Sequence, residues 1–393
     1  MKTRREAVSV AVSILGMGLG LPDIARATMP DSPSTEKDLL HRKLSAERMR
    51  IICLEEHVHD SVISIAIAGQ FAAKVPYFSG IGSRFKDNPD VLGATRPQLT
   101  FIPESIKIAA APLADRIAAM DTFGIDMQVL SISNQPQLAP LEEAVDLASA
   151  ANDRLAKSAA TYPDRISAFF TLPWQNPDAA VREAERCVHE LGLSGTLLSG
   201  RPDGKHFIDD VRFAPVLAKL AELDAPLFIH PGPTLHAVQA PYYGGFNPEV
   251  SARFSLFGWG WHHEAGIQVV RLILSGALDR HPQLKIISGH WGEMVPFFLQ
   301  RMDDTMPRAA TGLARTISET YREQVWVHPS GMLDIPHFMF IREVLGIERI
   351  VFSIDYPYLT MSGARTWLEN LPIPRVEKEA IAFRNAQKLL RLA

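Results

Sequence analysis

Four short stretches of this chain place a histidine or a carboxylate directly after an apolar run. They read Cys53-Leu54-Glu55-Glu56-His57-Val58-His59-Asp60, Leu227-Phe228-Ile229-His230-Pro231, Ile287-Ser288-Gly289-His290-Trp291-Gly292-Glu293 and Val351-Phe352-Ser353-Ile354-Asp355-Tyr356-Pro357. Residues two apart on a strand share a face, so Glu55 and His57 point one way together, as do His57 and His59. Carboxylates and imidazoles make a mixed oxygen and nitrogen ligand set that needs no thiolate. Zinc or manganese accepts such a set. The chemistry on offer is that of one divalent metal ion acting on a bound oxygen or water. A single histidine after an apolar run is more often a satisfied core residue. Ionisable residues at four such ends point to a shared site.

Those ends need elements that bring them together. Short apolar runs predict strands at 50–54, 127–132, 166–171, 195–198, 226–229, 285–288, 325–327 and 350–353. Amphipathic spacing predicts helices at 141–162, 179–191, 211–223, 265–278 and 380–392. Eight strands alternating with helices predict an α/β fold, a single closed (β/α)8 barrel whose strand ends surround one mouth. An open, doubly wound sheet is the alternative. It needs fewer strands and usually a glycine-rich first turn, which this chain lacks.

Two connections are too long for plain turns, about 67–112 and 232–261. The second carries Tyr242, Tyr243, Phe246, Phe254, Phe257, Trp259 and Trp261. These rings either hold a flat apolar substrate or pack the loop onto the barrel. His262 and His263 follow, and either reaches the pocket or serves in capping and packing. His328, beside Pro329-Ser330-Gly331 after the seventh strand, is a candidate substrate contact or an ordinary loop residue. His41, His189 and His281 fall in surface-type contexts.

Composition narrows the class. The chain has 393 residues, 47% hydrophobic and 21% charged, which is globular. A net charge of -4 gives no reason to expect a nucleic-acid partner. Two cysteines, Cys53 and Cys187, are too few for a disulfide framework or a cysteine zinc site and read as small buried hydrophobes. At the N-terminus, Arg4-Arg5 precede a mildly apolar run and then Ala25-Arg26-Ala27. This reads as a twin-arginine-like export signal over 1–27. A polar linker at 28–48 and a barrel at 49–393 follow. The apolar run is shorter than the roughly 20 residues of a bilayer span, so no membrane span is expected in the mature form. Periplasmic or secreted location is expected, with a cytoplasmic protein bearing a basic N-terminal helix as the alternative.

Leu54-Glu55-Glu56-His57 resembles the opening motif of the amidohydrolase-related decarboxylases, the group that includes 2,3-dihydroxybenzoate, γ-resorcylate and 5-carboxyvanillate decarboxylases. The resemblance runs from about Ile51 to the C-terminus. It takes in Arg116-Ile117-Ala118-Ala119-Met120-Asp121 with Gly124-Ile125-Asp126, and Leu172-Pro173 before Asp178-Ala179-Ala180. It is strongest from Arg271-Leu272-Ile273-Leu274-Ser275-Gly276 through Asp279-Arg280-His281-Pro282 to Gly289-His290-Trp291-Gly292-Glu293, with Arg301 at the family spacing. The resemblance implies that Glu55, His57, His230 and Asp355 bind the metal. It implies that His290 lies beside it, that Glu293 orients His290, and that Arg301 holds the substrate's anionic end. Asp355 or His290 would protonate the ring carbon. The Leu-Glu-Glu-His match leaves His59 as a pocket wall or substrate contact, although His57-Val58-His59 also reads as the His-x-His pair of aminocarboxymuconate-semialdehyde decarboxylase.

A small aromatic acid as substrate and a homodimer or homotetramer are implied as well. The expected function is nonoxidative decarboxylation of a hydroxylated aromatic acid. A metal-dependent hydrolase of a lactone, ester or amide uses nearly the same ligands. A catalytically dead binding protein is disfavoured by the intact ligand set, and export is unusual for a catabolic decarboxylase.

Overall fold

The structure, a computed structural model, describes residues 48–82 and 94–392. The expected export signal, nearly all of the linker, His41 and the middle of the 67–112 connection lie outside the described residues.

Among the described residues seven short strands form: β1 (Ile52–Val58), β2 (Met127–Ile132), β3 (Ile166–Ala168), β4 (Thr196–Ser199), β5 (Leu227–His230), β6 (Ile286–Ser288) and β7 (Val325–Val327). All pair in parallel, in the orders β1-β2-β3 and β4-β5-β6-β7. Single bridges span the seams. Phe170 pairs with Thr196, Val327 with Ile350, and Glu56 with Tyr356. The expected eighth strand is bonded on both sides without forming a ladder. Val351 N donates to Val327 O at 3.0 Å, Leu54 N to Phe352 O at 2.9 Å and His57 N to Tyr356 O at 2.7 Å. Hydrogen bonding therefore continues around the whole circuit, as a closed parallel barrel requires.

The strands read as near-continuous apolar runs because helices cover their outer faces. These include α1 (Ser61–Lys74), α2 (Leu113–Phe123), α3 (Leu141–Thr161), α4 (Pro177–His189), α5 (Ala214–Glu222), α6 (Gly260–Leu274), α7 (Val295–Thr305) and α8 (Ile335–Leu345). Start signals are local. Asp60 caps α1 by accepting from Val62 N and Ile63 N, and Asn176 caps α4 ahead of Pro177. Cys53 and Cys187 are buried free thiols. Among the described residues, no helix is long and apolar enough to cross a membrane.

One irregularity matters for the site. β1 pairs in step with β2 at Ile52–Met127 and Cys53–Gln128, then resumes at Glu56–Leu130. Leu54 and Glu55 together oppose Val129, a bulge that resets the two-residue alternation. Ile52 and Leu54 therefore join the core, while Glu55 and His57 enter the polar cluster above it. β1 also runs to Val58, beyond the expected end at 54, so both ligand candidates sit on strand backbone.

The core combines Ile52, Leu54, Met127, Val129, Phe169, Leu197, Phe228, Ile287 and Val351 with Ala386, Leu389 and Leu390 of the last helix. Each of the larger side chains among them stabilises the fold by roughly 1.5–3 kcal/mol. In β1, β5, β6 and the eighth stretch these residues precede the ionisable ones. The apolar plug therefore lies beneath the cluster and closes one end of the barrel.

Candidate metal centre

Glu55, His57 and His230 offer ligand atoms that all lie within 4.8 Å of one another. Asp355 Oδ1 is 3.1 Å from His57 Nε2, and Glu55 Oε1 is 3.5 Å from His230 Nε2. Four side chains from the ends of β1, β5 and the eighth stretch thus meet.

The outer nitrogens fix the rings. His57 Nδ1 is 3.0 Å from Ser131 Oγ, and His230 Nδ1 donates to Pro231 O at 2.8 Å. Each Nε2 is left facing the cluster. Burial, then the nearby Arg116, pushes His57 down to about 3. Burial, then His57, holds His230 well below its ordinary value. Both imidazoles are neutral, as metal ligands must be.

The carboxylates lack counterparts. Among the described residues, neither Glu55 oxygen, nor His57 Nε2, has a hydrogen-bond partner, although all three are buried. An unpaired buried polar group costs roughly 1–3 kcal/mol. Burial, reinforced by Asp355, holds Glu55 well above the usual carboxylate range, and burial pushes Asp355 up to about 7. Acceptors facing acceptors, with neutral imidazoles between them, fit one divalent cation.

Asp355 is placed by its backbone. Its φ is 71°, and its N–H donates to Glu55 O at 3.0 Å. The residues on either side donate to Glu56, Ile354 N to Oε1 at 3.0 Å and Tyr356 N to Oε2 at 3.3 Å. Gln128 Nε2 donates to the same Oε2 at 3.1 Å, and Arg116 donates to both Gln128 Oε1 and His57 O. Glu56 thus grips the Asp355 turn from the outer face of β1. The sequence reading gave Glu56 no task. Its only signal was the repeated glutamate in Leu54-Glu55-Glu56-His57.

A second cluster lies after β6. Gly289 permits a close approach there, since a Cβ would meet Ser330 Oγ at 2.9 Å, His328 Cε1 at 3.2 Å and Glu55 Oε1 at 3.3 Å. His290, Trp291, Glu293 and Met294 then all adopt positive φ, at 46°, 59°, 52° and 67°. That conformation costs about 1–2 kcal/mol per residue. It is held by His290 N donating to Ser330 Oγ at 2.8 Å, Trp291 N to His328 O at 2.9 Å and Trp291 Nε1 to Met332 O at 2.8 Å. The turn brings His290 Nδ1 to 2.8 Å from Glu293 Oε1, and Glu293 Oε2 lies 3.1 Å from His262 Nδ1. Burial alone would raise Glu293, but the His290 and His262 imidazoles hold it below the usual carboxylate range.

The remaining candidates are spread between the edge of the cluster and the surface. His328, expected at the mouth, is fully buried. Its Nδ1 is 2.7 Å from Ser353 Oγ and 3.4 Å from Glu55 Oε2, and its ring packs on Phe228. It sits against Glu55, and among the described residues its Nε2, like the Glu55 oxygens, has no hydrogen-bond partner. His59 lies past the end of β1 and pairs with Ser64 Oγ at 2.6 Å, outside the ligand group. His263 is exposed. One residue turns a helix by about 100°, so its neighbour His262 faces inward instead. Arg301 is exposed on α7 and is not brought to the cluster within this chain. Tyr358, unnoticed in the sequence, packs its ring 5.4 Å from that of His57.

Most rings of the aromatic connection pack on one another, Tyr243 on Phe254 at 5.2 Å and Phe257 on Trp261 at 6.0 Å. Tyr242 and Trp259 stay exposed.

The amidohydrolase family profile matches residues 108–392. The decarboxylase orsB of Emericella nidulans is 31% identical over 350 residues, covering 87% of this chain and 97% of its own length. The solved 5-carboxyvanillate decarboxylase of Sphingomonas paucimobilis matches with a TM-score of 0.76 and 29% identity, over 88% of this chain and 100% of that one. A dihydroxybenzoic acid decarboxylase of a Polaromonas species, solved with bound manganese and the inhibitor 2-nitroresorcinol, matches with a TM-score of 0.73 and 29% identity, over 88% of this chain and 98% of that one.

Proposed function

The chain belongs to the amidohydrolase family, and on that premise we propose that it is a metal-dependent, nonoxidative decarboxylase of a hydroxylated aromatic carboxylic acid. One observation carries the reading. Glu55, His57, His230 and Asp355 meet at a barrel mouth with buried donor atoms left unpaired, beside an oriented His290–Glu293 pair.

Glu55, His57, His230 and Asp355 would hold the cation. A divalent cation there supplies Lewis-acid polarisation of the substrate's carboxylate and neighbouring phenolate oxygens. Two carboxylates beside two imidazoles favour manganese over zinc, in keeping with the manganese of the similar Polaromonas enzyme.

Asp355 is the proton donor. Burial raises its carboxyl, against the pull of His290 and His262, which favours keeping a proton there for transfer. It gives that proton to the ring carbon bearing the carboxylate. The new C–H bond takes its electron pair from the ring, pushed by the phenolate oxygen. The bond to the carboxylate then breaks, its pair restores the aromatic ring, and carbon dioxide leaves. Asp355, now ionised, regains a proton from solvent. Glu293 occupies His290 Nδ1, which leaves Nε2 as the open nitrogen to accept a hydrogen from a second ring hydroxyl. Tyr358 offers an aromatic wall beside His57.

The test is a panel of dihydroxybenzoates, methoxylated hydroxybenzoates and lactones with the manganese-loaded protein. Carbon dioxide and the matching phenol are expected. Lactone opening without any carbon dioxide would replace this reading with a hydrolase.

Arg4-Arg5 ahead of a weak apolar run supports export. Fractionation of cells expressing the tagged full chain, with and without Arg4→Lys/Arg5→Lys, tests it. Exposed Phe297 and Phe298 on α7, with Phe297 touching Phe340 of α8, support a homo-oligomer, which light scattering would read as a dimer or tetramer mass.

A further inference from the structure

His262 is a largely buried histidine that the proposed chemistry leaves without a task. It enters from the first turn of α6, directly after the aromatic connection. Its Nδ1 lies 3.1 Å from Glu293 Oε2, while the other oxygen of that carboxylate lies 2.8 Å from His290 Nδ1. Glu293 is thus engaged on both oxygens, and it cannot rotate without breaking one contact. The two imidazoles approach edge to face, with centroids 4.2 Å apart.

The far side of His262 meets the aromatic connection. Nε2 is 2.9 Å from Phe257 O and 3.2 Å from Trp261 Nε1. A carbonyl only accepts, so the Phe257 contact requires a hydrogen on Nε2, whereas the indole only donates and requires a bare nitrogen. Glu293 decides between the two states. A carboxylate facing Nδ1 favours the ring with both hydrogens, one given to Glu293 and one to Phe257 O. Burial would lower His262, yet the Glu293 charge holds it above its ordinary value. Glu293 is then held from both sides, and His290 keeps its Nδ1 turned to the carboxylate and its Nε2 open.

We propose that His262 is a positioning residue that clamps Glu293, fixes the tautomer of His290 through it, and ties that pair to the Phe257–Trp261 end of the aromatic connection. The inference rests on the decarboxylase reading only for the reaction whose rate is followed.

A double-mutant cycle on the manganese-loaded full chain tests it, with His262→Ala, Glu293→Gln and the pair. His262→Ala is expected to lower kcat by about tenfold to a hundredfold, as loss of a group that orients a site ligand typically does, and to change KM by less than about threefold. Added imidazole should restore part of kcat. Once Glu293 is Gln, removing His262 should cost little more, because the two act as one unit. Fully additive losses, or wild-type kcat in His262→Ala, would overturn the proposal. If the wild type turns over no hydroxybenzoate, the decarboxylase reading fails by itself. The same cycle is then read in denaturant unfolding, where coupling between His262 and Glu293 is expected and additivity refutes the clamp.

Discussion

The two polar clusters at the barrel mouth use the same side-chain types and solve opposite electrostatic problems. Around Glu55, His57, His230 and Asp355, acceptors face acceptors and buried oxygens go unpaired. Around His262, His290 and Glu293, each carboxylate oxygen meets an imidazole nitrogen. The first set is complete only with an added cation. The second is complete alone and can stay in place when the metal leaves. Burial acts alike on both, so the difference comes from which nitrogen of each histidine its neighbours leave open.

The sharpest way to break this comparison is to remove the charge of the first cluster. Asp355→Asn keeps the shape but loses the proton and the anionic ligand. Decarboxylation is expected to fall by more than about ten-thousandfold, beyond the usual share of a single general acid because a ligand is lost too, with the circular dichroism spectrum unchanged. Full activity in this variant would take Asp355 out of the mechanism. Strong chelation should likewise abolish turnover and lower the melting temperature, since a cation bound at 100 times its Kd stabilises by about 2.7 kcal/mol. A melting temperature indifferent to chelator would contradict the unfinished character of the first cluster.

Glu56→Gln is expected to act next most strongly. An amide cannot accept at both ends, so Ile354 N–H or Tyr356 N–H loses its partner and the Asp355 turn loosens. Metal affinity should drop about tenfold to a hundredfold, read by competition with a fluorescent chelator. Gly289→Ala places a methyl against Ser330, His328 and Glu55. It should destabilise by roughly 1–3 kcal/mol, seen in chemical denaturation, and the idea of a required close approach fails if the variant is as stable as the wild type.

The smallest effect concerns pH and the second cluster. Glu293 lies below its ordinary value of 4.5 in the fold. Its contribution is full above about 4.5 and is lost as pH falls through the lower folded value. His262 lies above its ordinary value of 6.5, so its contribution is full below about 6.5 and is lost as pH rises through the higher folded value. The stability difference between wild type and His262→Phe should therefore peak between these two values. A difference that is flat from pH 4 to 9 would mean that the pair is not ionised.

The sequence by itself determined the barrel, its strand order and the four strand ends that carry ionisable residues, while the choice of ligands among them came from the family resemblance. Short apolar runs ending in ionisable residues are a local pattern, and a parallel barrel turns strand order into proximity. Phase and exposure were decided only by the tertiary structure. The bulge opposite Val129 resets β1, so alternation alone could not place Leu54 and Glu55 on one side. The start of α6 turns His262 inward and His263 outward. His328 is buried by Phe228 and Ser353 from other strands, and Arg301 stays on the surface of α7. Glu56 acquires its partners across about 300 residues of chain, at Ile354 and Tyr356. The reason is common to all of them. Residue type and spacing fix what a side chain can do, whereas what it faces is set by backbone register and by neighbours distant in sequence.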